Sequence, residues 1–154
     1  MLKIYNLKDK LQYIDEVAFL TQKEWGQKDL SKNEFEQKVK NKILKIKSNL
    51  NKPNYCKLIL LDNDILVGFI SIFPTDGEER RDLSPWYATM YVKEKYRCKG
   101  YSKILNNAII AEARKRNISR LYLKTDLENY YEKFGATFLE VLSTGEKLYY
   151  FDVK

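Results

Sequence analysis

Met90-Tyr-Val-Lys-Glu-Lys-Tyr-Arg-Cys-Lys-Gly-Tyr-Ser-Lys-Ile-Leu105 decides how the rest of the chain is read. An apolar run closes at Val92, a short basic segment carries one glycine, and an amphipathic helical pattern follows. A strand that delivers its chain into a helix N-terminus gathers several unbonded backbone N–H groups in one small volume. The helix dipole adds partial positive charge there, so the turn suits an anion, most naturally a phosphate. Arg97, Lys99 and Lys103 put full charges around the same point. Basic residues at a helix N-terminus oppose the dipole. Three of them, uncompensated, imply that an anion belongs there.

Two familiar phosphate motifs fail on this stretch. The P-loop would need a glycine where Lys95 stands and a lysine where Tyr101 stands. The dinucleotide fingerprint needs three glycines, and the turn has only Gly100. Cys98 sits among the basic residues without a partner base, so it reads as a spacer position of the turn rather than a nucleophile.

Composition narrows the chemistry further. The chain has 154 residues, 44% hydrophobic and 32% charged, which suits one globular domain spanning 1–154 with a core of its own. No apolar stretch approaches the roughly 18 residues of a membrane span. Lys3, Lys8, Asp9, Lys10, Asp15 and Glu16 interrupt the first twenty residues, against a signal-peptide core, so a cytoplasmic protein is expected. Histidine is absent. That excludes Ser-His-Asp and Cys-His catalysis and the usual histidine-bearing zinc or iron site. Two cysteines, Cys56 and Cys98, lack metal-ligand spacing, and no metal is expected. Any acid or base must be a carboxylate, tyrosine, lysine or cysteine. The net charge of +7 raises nucleic acid as a partner. Its lysines, however, are interleaved with Glu and Asp on solvated helix faces, and no nucleic acid or membrane partner is expected.

Periodicity supplies the frame. Leu2 to Tyr5 reads as a strand, and Leu11, Ile14, Ala18, Thr21 and Trp25 as one helix face closed at Gly26. Ser31 and Glu34 form a capping box that opens a second helix, with Phe35, Val39, Ile43, Ile46 and Leu50 as its stripe. Residues 55–61 and 66–73 read as a hairpin around Asp62-Asn-Asp64. Residues 86–92 form a strand, and 99–116 a helix with Ile104, Leu105, Ala108, Ile109 and Ala111 inward. Residues 120–124 form another strand, 127–134 a short helix closed by Gly135, and 138–141 and 148–153 the last strands. The fold class is α/β (α+β): a mixed, mostly antiparallel sheet of six to seven strands, flanked by about four helices. Its strand–helix–strand crossover makes 86–92 and 120–124 parallel and aims the 97–102 turn at their C-terminal edge.

Arg97-x-x-Gly100-x-Ser102, at a helix start directly after a strand, resembles the coenzyme A pyrophosphate loop of the GNAT acetyltransferase superfamily, Gln/Arg-x-x-Gly-x-Gly/Ala. Tyr91-Val92 precede it and Ile104-Leu105 follow it at the family's spacing. Asn129-Tyr-Tyr-Glu-Lys-Phe-Gly-Ala-Thr-Phe138 is similar to the family's later Tyr-x-Lys-x-Gly-Phe segment. Element order extends the resemblance over about residues 1–141. Ser102 departs from the usual Gly or Ala but is small enough to let a phosphate approach the backbone.

The resemblance implies a parallel pair splayed at the centre of the sheet, with acetyl-CoA as co-substrate held between its strands. Its contacts would come from Tyr91, Val92, Arg97, Cys98, Lys99, Gly100, Tyr101, Ser102 and Lys103. It also implies direct attack by a primary amine on the thioester, and it places the family's tyrosine on Tyr131. A phenol, ordinarily near pKa 10, can donate to a departing thiolate. Tyr130, next to it, is expected to face elsewhere. Acceptor contacts are expected from Trp25, Asp82 and Trp86, with Tyr87 nearby. Asp76, Glu78 and Glu79 would draw a cation, offset by Arg80 and Arg81. No base is assigned, and the acceptor is a small-molecule or peptide amine for a monomer or homodimer. The rival readings are a coenzyme A-binding module without turnover and a basic nucleic-acid-binding domain.

Overall fold

The computed structural model describes residues 1–154. Strand β1 (Leu2–Asn6) leads through two short 3-10 turns into α1 (Ile14–Trp25) and α2 (Lys32–Asn49). The hairpin β2 (Cys56–Asp62) and β3 (Ile65–Phe73), then β4 (Trp86–Val92), continue an antiparallel run. Helix α3 (Tyr101–Lys115) crosses to β5 (Arg120–Thr125), and β6 (Thr137–Val141) and β7 (Lys147–Asp152) close the chain. The seven strands form one sheet ordered β1-β2-β3-β4-β5-β7-β6, in which only β4 and β5 pair in parallel. The expected mixed sheet with a central parallel pair is therefore present.

Local chemistry explains the helices. Glu34 N–H donates to Ser31 Oγ and Ser31 N–H donates to Glu34 Oε1, each at 3.1 Å, so α2 opens on the expected capping box. Helix α3 opens differently: its cap is Gly100, with no side-chain cap and no acid in the first turn. Its buried face is Leu105, Asn106, Ile109 and Ala113, whereas Ile104 and Ala111 face outward. The inward stripe read from sequence is thus rotated by about one position. Burying Leu105 and Ile109 contributes about 1.5–3 kcal/mol each. A Cβ at Gly68 would sit 2.5 Å from the Tyr91 carbonyl and 3.0 Å from Leu105 Cδ1, so glycine there lets α3 lie close on the sheet.

The sheet separates two cores. Leu58, Leu60, Ile70, Leu105, Ile109, Leu121 and Phe151 belong to the one under α3. Ile14, Val17, Ile46, Ile59, Leu61 and Phe69 belong to the one under α1 and α2. Three α-helices flank the sheet rather than about four. The segment expected as a helix over 127–134 forms only a 3-10 turn at Tyr131–Phe134. Asn129 in the left-handed region (φ 56°) breaks the pattern before a turn can propagate, and Gly135 (φ 96°) closes it. No helix is long and apolar enough to cross a membrane.

Candidate active site

The site begins with a fault in the sheet. Against β3, Ser71 pairs with Ala88 but Phe69 pairs with Tyr91, so β4 carries one extra residue in between. Thr89 takes up the bulge with φ 49°, a conformation that costs a non-glycine residue about 1–2 kcal/mol. On its other edge β4 meets β5 at a single register pair, Trp86 with Tyr122, where Tyr122 N–H donates to the Pro85 carbonyl at 3.1 Å. Beyond that rung the parallel strands part. The gap is the mouth of a cleft of about 850 Å³.

One wall of the cleft is the end of β4 (Met90, Tyr91, Val92) and the turn that follows it. Glu94–Tyr96 make a 3-10 turn, then Cys98 (φ 63°) and Gly100 (φ 81°) both enter the left-handed region. Left-handed Gly100 is followed directly by the right-handed helix at Tyr101, and such a step bends successive N–H groups toward one concavity, an anion-binding nest. The first N–H groups of α3 point the same way and have no partner in the helix. Arg97 Nε donates to the Val92 carbonyl at 2.8 Å and its guanidinium lies 5.6 Å from the Tyr91 ring centroid, which locks the turn against the strand end. Ser102 and Lys103 also line the cleft. Lys99 lies outside the lining, its Nζ 5.8 Å from the Tyr96 ring centroid.

The opposite wall is the 3-10 turn. Tyr131 lines the cleft with Leu127, Lys133 and Phe134. Its ring packs edge-on to Tyr87, which is itself buried and donates its hydroxyl to Asn106 Oδ1 at 2.8 Å. Burial, reinforced by Tyr130, pushes the Tyr131 phenol up to about 12. Tyr130 does not face elsewhere. It also lines the cleft, with its ring centroid 4.9 Å from that of Tyr131. Tyr130 precedes the 3-10 turn as its cap, so the helical rule that separates neighbouring side chains does not apply.

The expected acceptor residues divide. Trp25 reaches the cleft, 48% exposed and edge-on to Phe69 and Tyr91. Trp86 does not. It is fully buried against Leu142 and Leu148, and its Nε1 donates to the Leu83 carbonyl at 2.8 Å. A β4 residue before the splay is still inside the closed part of the sheet, so Trp86 is core. Asp82 is outside the cleft as well, chelated by Arg80 through Nε and Nη2 at 3.0 Å. Arg80 also pairs with Glu140, and Glu79 accepts from Ser143 N–H and Oγ, which holds its carboxyl below the usual range. Arg80 thus ties this loop to β6 and Glu79 ties it to the turn that leads into β7, while Asp82 and Glu78 pair with Arg80 and Arg81 within the loop. Glu24, Tyr96 and Leu127 line the cleft unforeseen, because only the fold brings them to it.

Residues 14–136 match the acetyltransferase (GNAT) family. The chain belongs to that family. No curated protein matches the sequence. Solved structures of similar fold include an aminoglycoside 6'-acetyltransferase type Ii, 20% identical with a TM-score of 0.71, covering 100% of this chain and 97% of that one. The structure of yncA from Salmonella typhimurium with acetyl-CoA is 14% identical with a TM-score of 0.71, over 99% and 94% of the two chains. The paia N-acetyltransferase of Thermoplasma acidophilum in complex with coenzyme A is 20% identical with a TM-score of 0.65, over 99% of each chain. At these identities the likeness is one of fold. The splay between β4 and β5 and the basic turn at α3 are this GNAT chain's own features, read directly from its residues.

Proposed function

We propose that the protein transfers the acetyl group of acetyl-CoA to a primary amine by direct attack. The observation that carries this is a single cleft with an anion nest at one wall, a tyrosine at the other, and an unpaired strand edge between them. The pyrophosphate would lie on the N–H groups of residues 98–103, with Arg97, Lys99 and Lys103 supplying charge. The pantetheine arm would take the place of the missing ladder between β4 and β5, its amides against the backbone of Tyr91 and Val92. The acetyl end would then lie near Thr89 and Met90, where a β4 N–H can polarise the thioester oxygen.

A thioester is already activated, so catalysis here is mainly a matter of placement. The amine attacks the carbonyl carbon, the C–N bond forms, and the C–S bond breaks. Tyr131 stands beside the departing sulfur. A phenol held near 12 keeps its proton at every working pH and meets the thiolate as a donor. Trp25 and Tyr91 offer aromatic faces to a cationic acceptor at the cleft rim.

The test is thiol release from acetyl-CoA with kanamycin, spermidine and an alanyl peptide, comparing wild type with Tyr131→Phe. Acceptor-dependent release is expected, with kcat lowered about 10²-fold in the variant. No release with any acceptor, alongside thermal stabilisation by coenzyme A, would point to a binding module without turnover. Stabilisation by RNA or DNA instead would overturn the reading altogether.

A further inference from the structure

Lys57 is a lysine in the wrong place for ordinary purposes. It lies on β2, 2% exposed, beneath α2, and its amine meets a hydroxyl rather than a carboxylate. Its Nζ is 4.8 Å from the Phe73 ring centroid and 5.9 Å from that of Phe69. Its one hydrogen-bond partner is the buried Ser71 on β3, with Nζ 2.8 Å from Oγ. Ser71 Oγ is in turn 2.6 Å from Thr89 Oγ1. The three polar groups form an unbroken file across β2, β3 and β4, through a layer that is otherwise apolar.

Where that file ends gives it meaning. Thr89 is the bulged residue of β4, half-buried, three positions beyond the last rung shared with β5. Met90, Tyr91 and Val92 directly after it line the cleft. The bulge is what turns the Thr89 side chain onto the same face as Ser71. A chain of hydroxyls that starts at the strand residue adjoining the cleft lining and finishes on a buried amine has the form of a proton path.

We propose that Thr89, Ser71 and Lys57 form a proton relay that deprotonates the acceptor amine, with Thr89 touching the acceptor and Lys57 acting through it as the terminal proton acceptor. The proposal rests on the acetyltransferase reading above and supplies the base that reading lacks. When Lys57 is neutral, the Ser71 O–H donates to its Nζ lone pair and the Thr89 O–H donates to Ser71. An arriving ammonium gives one proton to Thr89 Oγ1 as the Thr89 proton passes to Ser71 and the Ser71 proton to Lys57. This leaves R–NH2 in the cleft and an ammonium on Lys57. Attack then forms the C–N bond and breaks the C–S bond. The second nitrogen proton ends on sulfur as CoASH, by way of Tyr131 or water. Lys57 returns its proton along the same file to water once the products leave. No electrons change hands.

The charges around Lys57 favour its neutral form. Burial above all, with Lys42 and Lys45 on α2 acting in the same direction and Cys56 beside it opposing them, lowers it to about 7. Lys42 is itself lowered by burial and by its lysine neighbours. A lysine in that state can accept a proton near neutrality.

Two measurements test the relay. The first is the pH dependence of kcat/KM, using whichever of kanamycin, spermidine or the alanyl peptide is turned over. Wild type should show an acidic limb near pH 7 that stays put when the acceptor changes. In Lys57→Met and Thr89→Val that limb should vanish and kcat/KM at pH 8 should fall about 10²-fold. Thr89→Ser, which keeps the hydroxyl, should stay close to wild type. A limb that survives in Lys57→Met, or that follows the acceptor's own pKa, overturns the relay while leaving acetyl transfer intact. Absence of turnover by wild type with every acceptor defeats the acetyltransferase reading instead. The second measurement needs no activity. In protein carrying 13C-labelled lysine, one Cε resonance should titrate near pH 7 and be missing from Lys57→Met. If every lysine titrates above pH 9, Lys57 is not the acceptor.

Discussion

Strand β5 is held very differently by its two neighbours. Toward β7 it makes a continuous antiparallel ladder of six register pairs, from Arg120 with Asp152 to Thr125 with Lys147. Toward β4 it makes one. The first edge is ordinary structure, in which backbone groups satisfy one another. The second leaves strand edges unsatisfied at the centre of the sheet, where buried polar groups are costly unless something fills them. The site is thus made by withholding pairing, with the bulge at Thr89 as the device that turns β4 away.

Removing that device should have the largest effect. Deleting Thr89 removes the extra residue, so that Met90 falls opposite Ile70 while Tyr91 stays opposite Phe69 and Val92 opposite Gly68, and the local bend that the bulge gives β4 is lost. Loss of stabilisation by acetyl-CoA in a thermal shift assay is expected, in a protein that still shows the circular dichroism of a mixed fold. Retained binding would mean that the bulge is incidental to the cleft.

The nest comes next. At Gly100 a new Cβ would meet nothing within 4 Å, so Gly100→Ala isolates the cost of the left-handed backbone from any clash within the protein. That cost is about 1 kcal/mol. A weakening of acetyl-CoA binding of about tenfold is expected by calorimetry, with no change for an amine that binds alone. A larger loss of Tm than of affinity would show the turn to be structural only.

The smallest effect falls on the well-paired region under α2. The Lys57 amine is lowered on folding, so the unfolded chain binds more protons between pH 7 and its ordinary value of 10.5. Stability from this group is full above that window and is lost as the pH falls through it. Lys57→Met removes the penalty. Its Tm should therefore exceed that of wild type by a few degrees, about 2–4 °C, near pH 7, and the gap should close toward pH 10. A gap that is the same at both pH values would mean that Lys57 folds in charged.

These two regions were also unequally legible in the sequence. The basic turn could be read because its signals are local: one glycine, three cations and a helix pattern within sixteen residues. The parallel pairing of β4 with β5 follows from the same crossover. Tyr131 was placed only through the family resemblance. Trp86 is misread because its fate depends on whether it lies at the β4–β5 rung or beyond it, and a rung has no sequence signature. Tyr130 was misjudged because a 3-10 turn was read as a helix. Lys57 could not be found at all. It comes together with Ser71 and Thr89, 14 and 18 residues apart along the file, through strand register and a bulge, and nothing near it in sequence marks it as buried.

The single rung between β4 and β5 also bears on how the molecule breathes. The β5–β7–β6 block is joined to the rest of the sheet by almost no ladder, and its outermost strand, β6, is exposed along its whole length. Backbone amides of that block have a route to solvent that does not require the β1–β4 block to open. A ligand lying in the seam would act as the absent strand, and deuterium uptake in β5 should slow when it binds, long before any catalytic step takes place.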